Sequence, residues 1–100
     1  MAYDQLIAMH VSDEAGYARY RAEMTPLLHD FGGSFRYDFR IAETLKSETK
    51  HPITRVFIIS FPDEAVRNAF FSDERYLSIR QRHFDPSVQG YTRIGGVTAL

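Results

Sequence analysis

Three side chains in the last third of the sequence have the types and the spacing to bind an organic anion. Tyr76, Arg80 and His83 stand at positions i, i+4 and i+7, which places them on one stripe of a helix with Ile79 beside them. A guanidinium offers a planar fork of donors, and with a phenol and an imidazole it could hold a carboxylate or an enolate-like substrate. The alternative is structural: the Arg80 stem packs over Tyr76 and its charged head stays in water.

His10 is a second candidate, at the end of a predicted central strand. It shares a strand face with Leu6 and Ala8, opposite Ile7 and Met9. An imidazole among apolar neighbours can move a proton near neutral pH, so His10 and Arg80 are the candidate catalytic residues if the protein is an enzyme. The sequence leaves that question open, because a hydrogen-bonded histidine at a strand end needs no chemical role.

Metal and cofactor chemistry is not indicated. The chain has no cysteine, which excludes disulfides and thiolate ligands, and its four histidines show no HExxH or similar metal-ligand spacing. We therefore expect no metal site and no cofactor. Arg36, Asp38 and Arg40 alternate along another predicted strand, where they form either an anion site or an ion-pair ladder that faces solvent or a partner.

The composition narrows the class of protein. A chain of 100 residues is long enough for one domain, and 44% apolar with 25% charged residues is ordinary for a globular one. The net charge of −1 leaves no excess of cations for a phosphate backbone, so we expect no nucleic-acid partner. The first residues lack a basic region, and His10 and Asp13 break their apolar run. We therefore expect neither a signal peptide nor a membrane span, and a cytoplasmic location.

Six predicted elements must position the candidate residues, and the first two lie in the N-terminal third. An apolar run predicts a strand over Asp4–Val11, and Ser12 or Asp13 can cap the helix that follows. The buried stripe of this helix consists of residues at steps of three and four: Tyr17, Tyr20, Met24, Leu27, Leu28 and Phe31. Pro26 lacks an amide hydrogen and is expected to kink or split this helix, which Gly32-Gly33 ends.

The remaining elements follow the same local patterns. Alternation of apolar and charged residues predicts a second strand over Phe35–Glu43 with one face of each kind, and a polar loop follows over Thr44–Pro52. An apolar run predicts a third strand over Ile53–Phe61, and Pro62-Asp63-Glu64 opens a helix. Asp73 can cap a further helix that runs through His83, and Val88–Val97 is predicted as the last strand.

The predicted order is β-α-β-β-α-β, the split βαβ or ferredoxin-like arrangement of an α+β protein. Right-handed crossovers place the first and third strands in the centre of a four-stranded antiparallel sheet, and these two strands carry apolar residues on both faces. Two helices cover only one face of such a sheet. We therefore expect a homodimer in which a second copy of the sheet covers the other face.

Short motifs along nearly the whole chain resemble the family called domain of unknown function 1330. The stretch from Phe61-Pro62-Asp63-Glu64-Ala65 through Ala69-Phe70-Phe71-Ser72 to Tyr76-Leu77-Ser78-Ile79-Arg80 resembles its helical half. An earlier part of this chain resembles the first half of the same family: it contains Tyr17 and Tyr20, then Pro26, then Phe31-Gly32-Gly33 before an aromatic strand. Two features depart from the family pattern: Tyr37-Asp38-Phe39 stands where Arg-Gly-Gly is frequent, and the loop Thr44–Pro52 is longer.

The resemblance implies a dimeric α+β barrel, from a superfamily that also holds cofactor-free monooxygenases, isomerases and haem-degrading enzymes. Arg80 falls on the arginine of the family-like motif, and Tyr37 lies in a region that a ligand would contact. The predicted ligand-binding residues are His10, Tyr37, Tyr76, Arg80 and His83.

Three functions compete at this point. The first is binding, with or without catalysis, of a small and possibly acidic molecule in a pocket between sheet and helices. The second is a non-catalytic dimeric module in which the same features serve packing and turns. The third is a haem protein with His10 or His83 as axial ligand, which ranks last because the chain lacks the tryptophan that some haem-degrading relatives use.

Overall fold

The computed structural model of the chain describes residues 2–98. The elements follow the predicted order, with two short helices and one π-helical turn in the second helical region. They are β1 (Tyr3–Val11), α1 (Glu14–Asp30), β2 (Ser34–Arg40), β3 (Arg55–Phe61), α2 (Glu64–Ser72), α3 (Glu74–Ile79), the π turn (Arg80–Phe84) and β4 (Val88–Thr98). The βαββαβ prediction is confirmed.

The four strands form one sheet in the order β2-β3-β1-β4, and every neighbouring pair is antiparallel. The first and third strands therefore occupy the centre, as predicted. Side chains alternate along β1, so Gln5, Ile7 and Met9 face the helices and Ala8 and His10 face the other way. This second side is called the open face below.

Helix α1 begins at the predicted cap, where the Asp13 carboxylate accepts a hydrogen bond from the Gly16 amide at 3.0 Å. It runs without interruption through Pro26, so the predicted split into two helices is wrong. Pro26 lies on the exposed side of the helix, while Met24 and Leu27 on either side of it are buried against the core. Burial of the apolar stripe holds both halves in one helix despite the missing amide hydrogen. Gly32 then ends the helix with φ +80°, a backbone conformation that glycine adopts without strain.

Strand β2 departs from the predicted alternation because it contains a bulge. Phe35 pairs with Ile59, whereas Tyr37 pairs with Ile58, so one extra residue, Arg36, stands between them. Phe35 therefore faces the helices, and Tyr37 belongs to the open face. The predicted single ladder of Arg36, Asp38 and Arg40 is wrong for the same reason, since an inserted residue reverses the side on which each later residue points.

The core lies between the helices and one face of the sheet and is rich in aromatic rings. Its buried members come from every element except β2, whose Phe35 is only partly buried: Met9, Val11, Tyr17, Tyr20, Met24, Leu27, Leu28, Phe57, Ile59, Phe61, Phe70, Tyr76, Ile79, Phe84 and Val88. On the other side, residues 41–54 form a loop without regular structure, and His51 lies against Gly90 of β4. Among residues 2–98, no helix is long and apolar enough to cross a membrane.

Candidate functional site

A cavity of about 160 Å³, called the central cavity below, lies between the sheet and the helices. Its walls are mostly aromatic and aliphatic, with a few polar groups placed among them. The lining consists of Gln5, Ile7, Met9, Tyr17, Tyr20, Met24, Phe35, Phe57, Ile59, Arg67, Phe71, Tyr76, Arg80, Phe84 and Tyr91. An apolar cavity with a small number of converging polar groups is the usual form of a small-molecule site.

Two phenols meet at one wall of the cavity. The hydroxyls of Tyr20 on α1 and Tyr76 on α3 are 2.9 Å apart, and both side chains are almost completely buried. Burial raises the pKa of both phenols. The rise is larger at Tyr20, where a charge on Tyr76 adds to it, and smaller at Tyr76, where the bond with Tyr20 and the Arg80 charge oppose it. At neutral pH both groups are therefore protonated hydrogen-bond donors.

Arg80 extends from the π turn toward the same wall. Its Nη2 donates to the Tyr91 hydroxyl at 3.1 Å, and the guanidinium lies 4.9 Å from the centre of the Phe84 ring. An exposed carboxylate, Asp85, stands 3.5 Å from its Nε. The side chain keeps 30% of its surface exposed, so the head is anchored at the cavity and remains reachable from solvent. This arrangement supports the predicted proximity of Tyr76 and Arg80.

A second polar group lies further along β1. Gln5 is buried, and rotation of its side-chain amide by 180° directs the oxygen toward two guanidiniums. With the amide in that orientation, the oxygen accepts from Arg93 Nη1 at 3.2 Å and from Arg67 Nε at 3.3 Å. Arg67 also lies over the Phe71 ring, 4.8 Å from its centre. Arg67 and Phe71 thereby form part of the cavity wall at this end.

The side of the cavity next to β2 is held by an ionic network. Asp38 accepts from Arg55 Nε at 2.8 Å and from Arg21 Nη1 at 3.0 Å, while Arg21 Nε donates to the Tyr17 hydroxyl at 2.7 Å. Burial by itself would raise the pKa of Asp38, but the hydrogen bonds and charges of Arg55 and Arg21 outweigh it and lower that pKa. Burial raises the pKa of Tyr17. The network fixes Tyr17 and Phe35, whose ring centre lies 3.7 Å below the Arg21 guanidinium.

The structure separates the five predicted ligand-binding residues into two groups. Tyr76 and Arg80 line the cavity, whereas His83, His10 and Tyr37 do not. His83 is partly buried and its Nε2 contacts the Glu23 carboxylate of α1. The predicted common stripe fails at His83 because Arg80–Phe84 is a π turn, and its wider winding turns the imidazole away from the phenol.

His10 and Tyr37 both belong to the open face. His10 pairs with Gly90, on the side of β1 opposite the cavity. Tyr37 is 52% exposed and its ring stacks with that of Phe39 at 6.1 Å. The hypothesis that His10 serves the same cleft as Arg80 is therefore corrected: the alternation of side chains along β1 directs the imidazole to the other face.

Several cavity residues escaped the sequence analysis. The sequence pattern places Tyr20 in the core stripe of α1, and it does not mark Gln5, Arg67 or Tyr91 as ligand-binding residues. One signal was available for Gln5, the only polar residue between Tyr3 and Val11 on the side of β1 that faces the helices. Another was available for Tyr20, because a buried phenol normally has a hydrogen-bond partner.

No three His, Asp or Glu side chains come together as metal ligands anywhere in the described part of the chain. The polar groups in the lining of the central cavity are hydroxyls, one amide and guanidiniums.

Together, the antiparallel sheet in the order β2-β3-β1-β4 and the helices on one of its faces define a ferredoxin-like α+β protein. The chain belongs to the family described as Domain of unknown function (DUF1330), which matches residues 4–90. Among curated proteins, no relative matches this chain.

Solved structures of low sequence identity share the fold. A protein of unknown function from Rhodopseudomonas palustris has 17% identity and a TM-score of 0.82, over 99% of this chain and 82% of that one. A dabb family protein with a ferredoxin-like fold from Mesorhizobium loti has 14% identity and a TM-score of 0.65, over 99% and 97%. A dimeric ferredoxin-like protein of unknown function from Jannaschia sp. has 10% identity and a TM-score of 0.55, over 99% and 100%. At these identities the similarity concerns the fold and carries no activity with it.

Proposed function

We propose that this protein binds a small organic acid in the central cavity, with the carboxylate at Arg80 and the apolar part against the aromatic walls. The observation that carries the proposal is the position of one anchored, partly exposed guanidinium beside two buried, hydrogen-bonded phenols at the edge of an apolar cavity. A guanidinium is permanently charged and its fork of donors matches the two oxygens of a carboxylate.

The charges around the cavity favour an anion over a cation. Arg67 and Arg80 contribute to the lining, and no acidic side chain does so among the described residues. Tyr20 and Tyr76, which stay protonated, add donors that can rotate toward an incoming oxygen. The same donors would stabilise an enolate-like anion, so the role of Arg80 in any reaction would be to orient the substrate and stabilise its charge.

Calorimetric titration with a library of small carboxylic acids tests this proposal. The best acid should bind Arg80→Lys about tenfold more weakly than wild type, because the substitution keeps the charge and removes the fork. Arg75→Lys is the matched control, since Arg75 is an exposed arginine that pairs with Asp73 away from the cavity. Equal affinities for wild type and Arg80→Lys, or the absence of acid binding to either, would contradict the proposal.

We further propose that the protein forms a homodimer through the open face. Tyr37 and Phe39 are each 52% exposed there, and Leu6, Val56 and Ile58 of the central strands are only partly buried. A self-complementary contact would cover these side chains in both copies at once. The similar protein from Jannaschia sp. is described as dimeric, which supports the proposal for this chain.

Light scattering after size exclusion tests the dimer. Wild type should elute with the mass of two chains at tens of micromolar, and Phe39→Lys should dissociate it because a buried charge at the contact is costly. Leu77→Lys is the control, since Leu77 is an exposed leucine on α3, on the helical side. A wild-type monomer would refute the homodimer. A dimer that binds no acid would instead favour the non-catalytic module.

A further inference from the structure

Arg67, which lines the central cavity, and Arg93, which does not, place two guanidiniums around the buried side-chain amide of Gln5, at the end of the cavity away from Arg80. Neither arginine has an acidic partner in the part of the chain that the structure describes. Arg67 donates its remaining contact to a neutral amide, Asn68 Oδ1, at 3.1 Å. Several arginines elsewhere in the fold do have such partners: Arg21 and Arg55 share Asp38, and Arg36 pairs with Asp4.

The Gln5 end is therefore a second cationic group and, unlike Arg80, which lies beside Asp85, it has no carboxylate partner among the described residues. A buried amide oxygen can occupy only part of the hydrogen-bonding capacity of two guanidiniums, which together offer ten N–H donors by their chemistry. Electrostatic attraction is strengthened at Arg67, which is half-buried, because less water screens it there than at the exposed Arg93. A ligand carboxylate would supply the missing charge and could accept from the fork of Arg67, whose side chain forms part of the wall.

The distance between the two cationic ends limits the shape of the ligand. Arg80 donates to Tyr91, which pairs with Met9, whereas Arg67 donates to Gln5 on the same strand. Four residues of extended strand separate Gln5 from Met9, which is roughly 13 Å. Between the two positions the cavity wall is apolar, with Ile7 in the middle of β1 and with Phe57 and Ile59 on β3.

From this arrangement we infer that the ligand class of the central cavity is a dicarboxylate with a rigid, apolar spacer, held by Arg80 at one end and by Arg67 with Gln5 at the other. The inference rests on the proposed function and adds a second anchoring point to it. Gln5 serves as the positioning residue, since its buried amide oxygen holds the Arg67 head toward the cavity. Rings or conjugated chains suit the aromatic walls and hold the two carboxylates apart at low entropic cost.

Titration of the full chain with terephthalate and with its monomethyl ester tests the second anchor. The two probes share one spacer and differ by one negative charge. Wild type should bind terephthalate about tenfold more tightly than the ester, as expected for one charge-assisted interaction. Arg67→Met should abolish this preference and leave the affinity for the ester unchanged, whereas Arg80→Lys should weaken the binding of both probes.

The outcomes separate this inference from the proposed function. Equal binding of the two probes to wild type, or an unchanged preference in Arg67→Met, would overturn the second anchor while the binding of acids at Arg80 still stands. Binding of neither probe overturns it too, and the wider acid library then decides the fate of the proposed function. Arg75→Met, outside the cavity, controls for the loss of surface charge, and far-UV circular dichroism confirms that each variant is folded.

Discussion

Removal of the hydroxyl from Tyr20 and from Tyr76 should destabilise the protein by different amounts, although the two groups share one hydrogen bond. The two oxygens are 2.9 Å apart, with the side chains 4% and 2% exposed. Tyr76→Phe leaves the Tyr20 hydroxyl without its partner, and a buried, unsatisfied hydroxyl costs about 1–3 kcal/mol. Tyr20→Phe leaves the Tyr76 hydroxyl near the Arg80 guanidinium, whose charge opposes the rise that burial causes in the pKa of Tyr76, so this variant should lose only about 0.5–1.5 kcal/mol.

The double variant provides the sharper test. Once one hydroxyl is gone, removal of the other should cost little, because no buried group is then left unsatisfied by it. The sum of the two single losses should therefore exceed the loss in Tyr20→Phe/Tyr76→Phe by about 1 kcal/mol. For a domain of this size, 1 kcal/mol corresponds to a change in Tm of about 4–8 °C.

Urea unfolding followed by far-UV circular dichroism measures these differences, at one protein concentration because association would shift the midpoint. Tyr37→Phe is the matched control, since Tyr37 is half exposed and the same hydroxyl is removed from a position outside the cavity. Losses that add within about 0.5 kcal/mol would refute the shared hydrogen bond. A larger loss in Tyr20→Phe than in Tyr76→Phe would refute the role assigned to Arg80.

Two further predictions concern the charge of Asp38 and the face of the sheet on which His10 lies. The pKa of Asp38 is lowered in the folded protein, so its contribution to stability is present above the unfolded value of about 3.9 and is lost as the pH falls through the lower, folded value. Asp38→Asn should therefore be less stable than wild type at pH 7, and urea titrations should show the two converging below about pH 4. Glu43→Gln, in an exposed loop, should not change the profile. His10→Ala should bind the best acid as tightly as wild type in calorimetry, because His10 faces away from the central cavity; a tenfold loss would contradict the assignment of faces.

Local sequence patterns are enough to predict the order of the elements and the strands at the centre of the sheet. These features follow from patterns that repeat over a few residues: alternation in the strands, steps of three and four in α1, and the turn residues between them. The proximity of Tyr76 and Arg80 was predictable for the same reason, since residues four apart on a helix are neighbours whatever surrounds them.

The polar groups that meet at the cavity come from distant parts of the chain, and their meeting depends on how the whole chain packs. The Tyr20–Tyr76 bond joins residues 56 apart in sequence and the Gln5–Arg67 contact joins residues 62 apart, distances over which no local pattern carries information. The alternation of residues along β2 does not predict the bulge at Arg36 either. This bulge places Tyr37 on the open face and Asp38 on the helical side. The π turn removes His83 from the stripe that ordinary helical winding predicts. A single inserted residue or one wider turn changes the side on which a functional group lies. Whether such a bulge or turn forms depends on the packing of the whole chain.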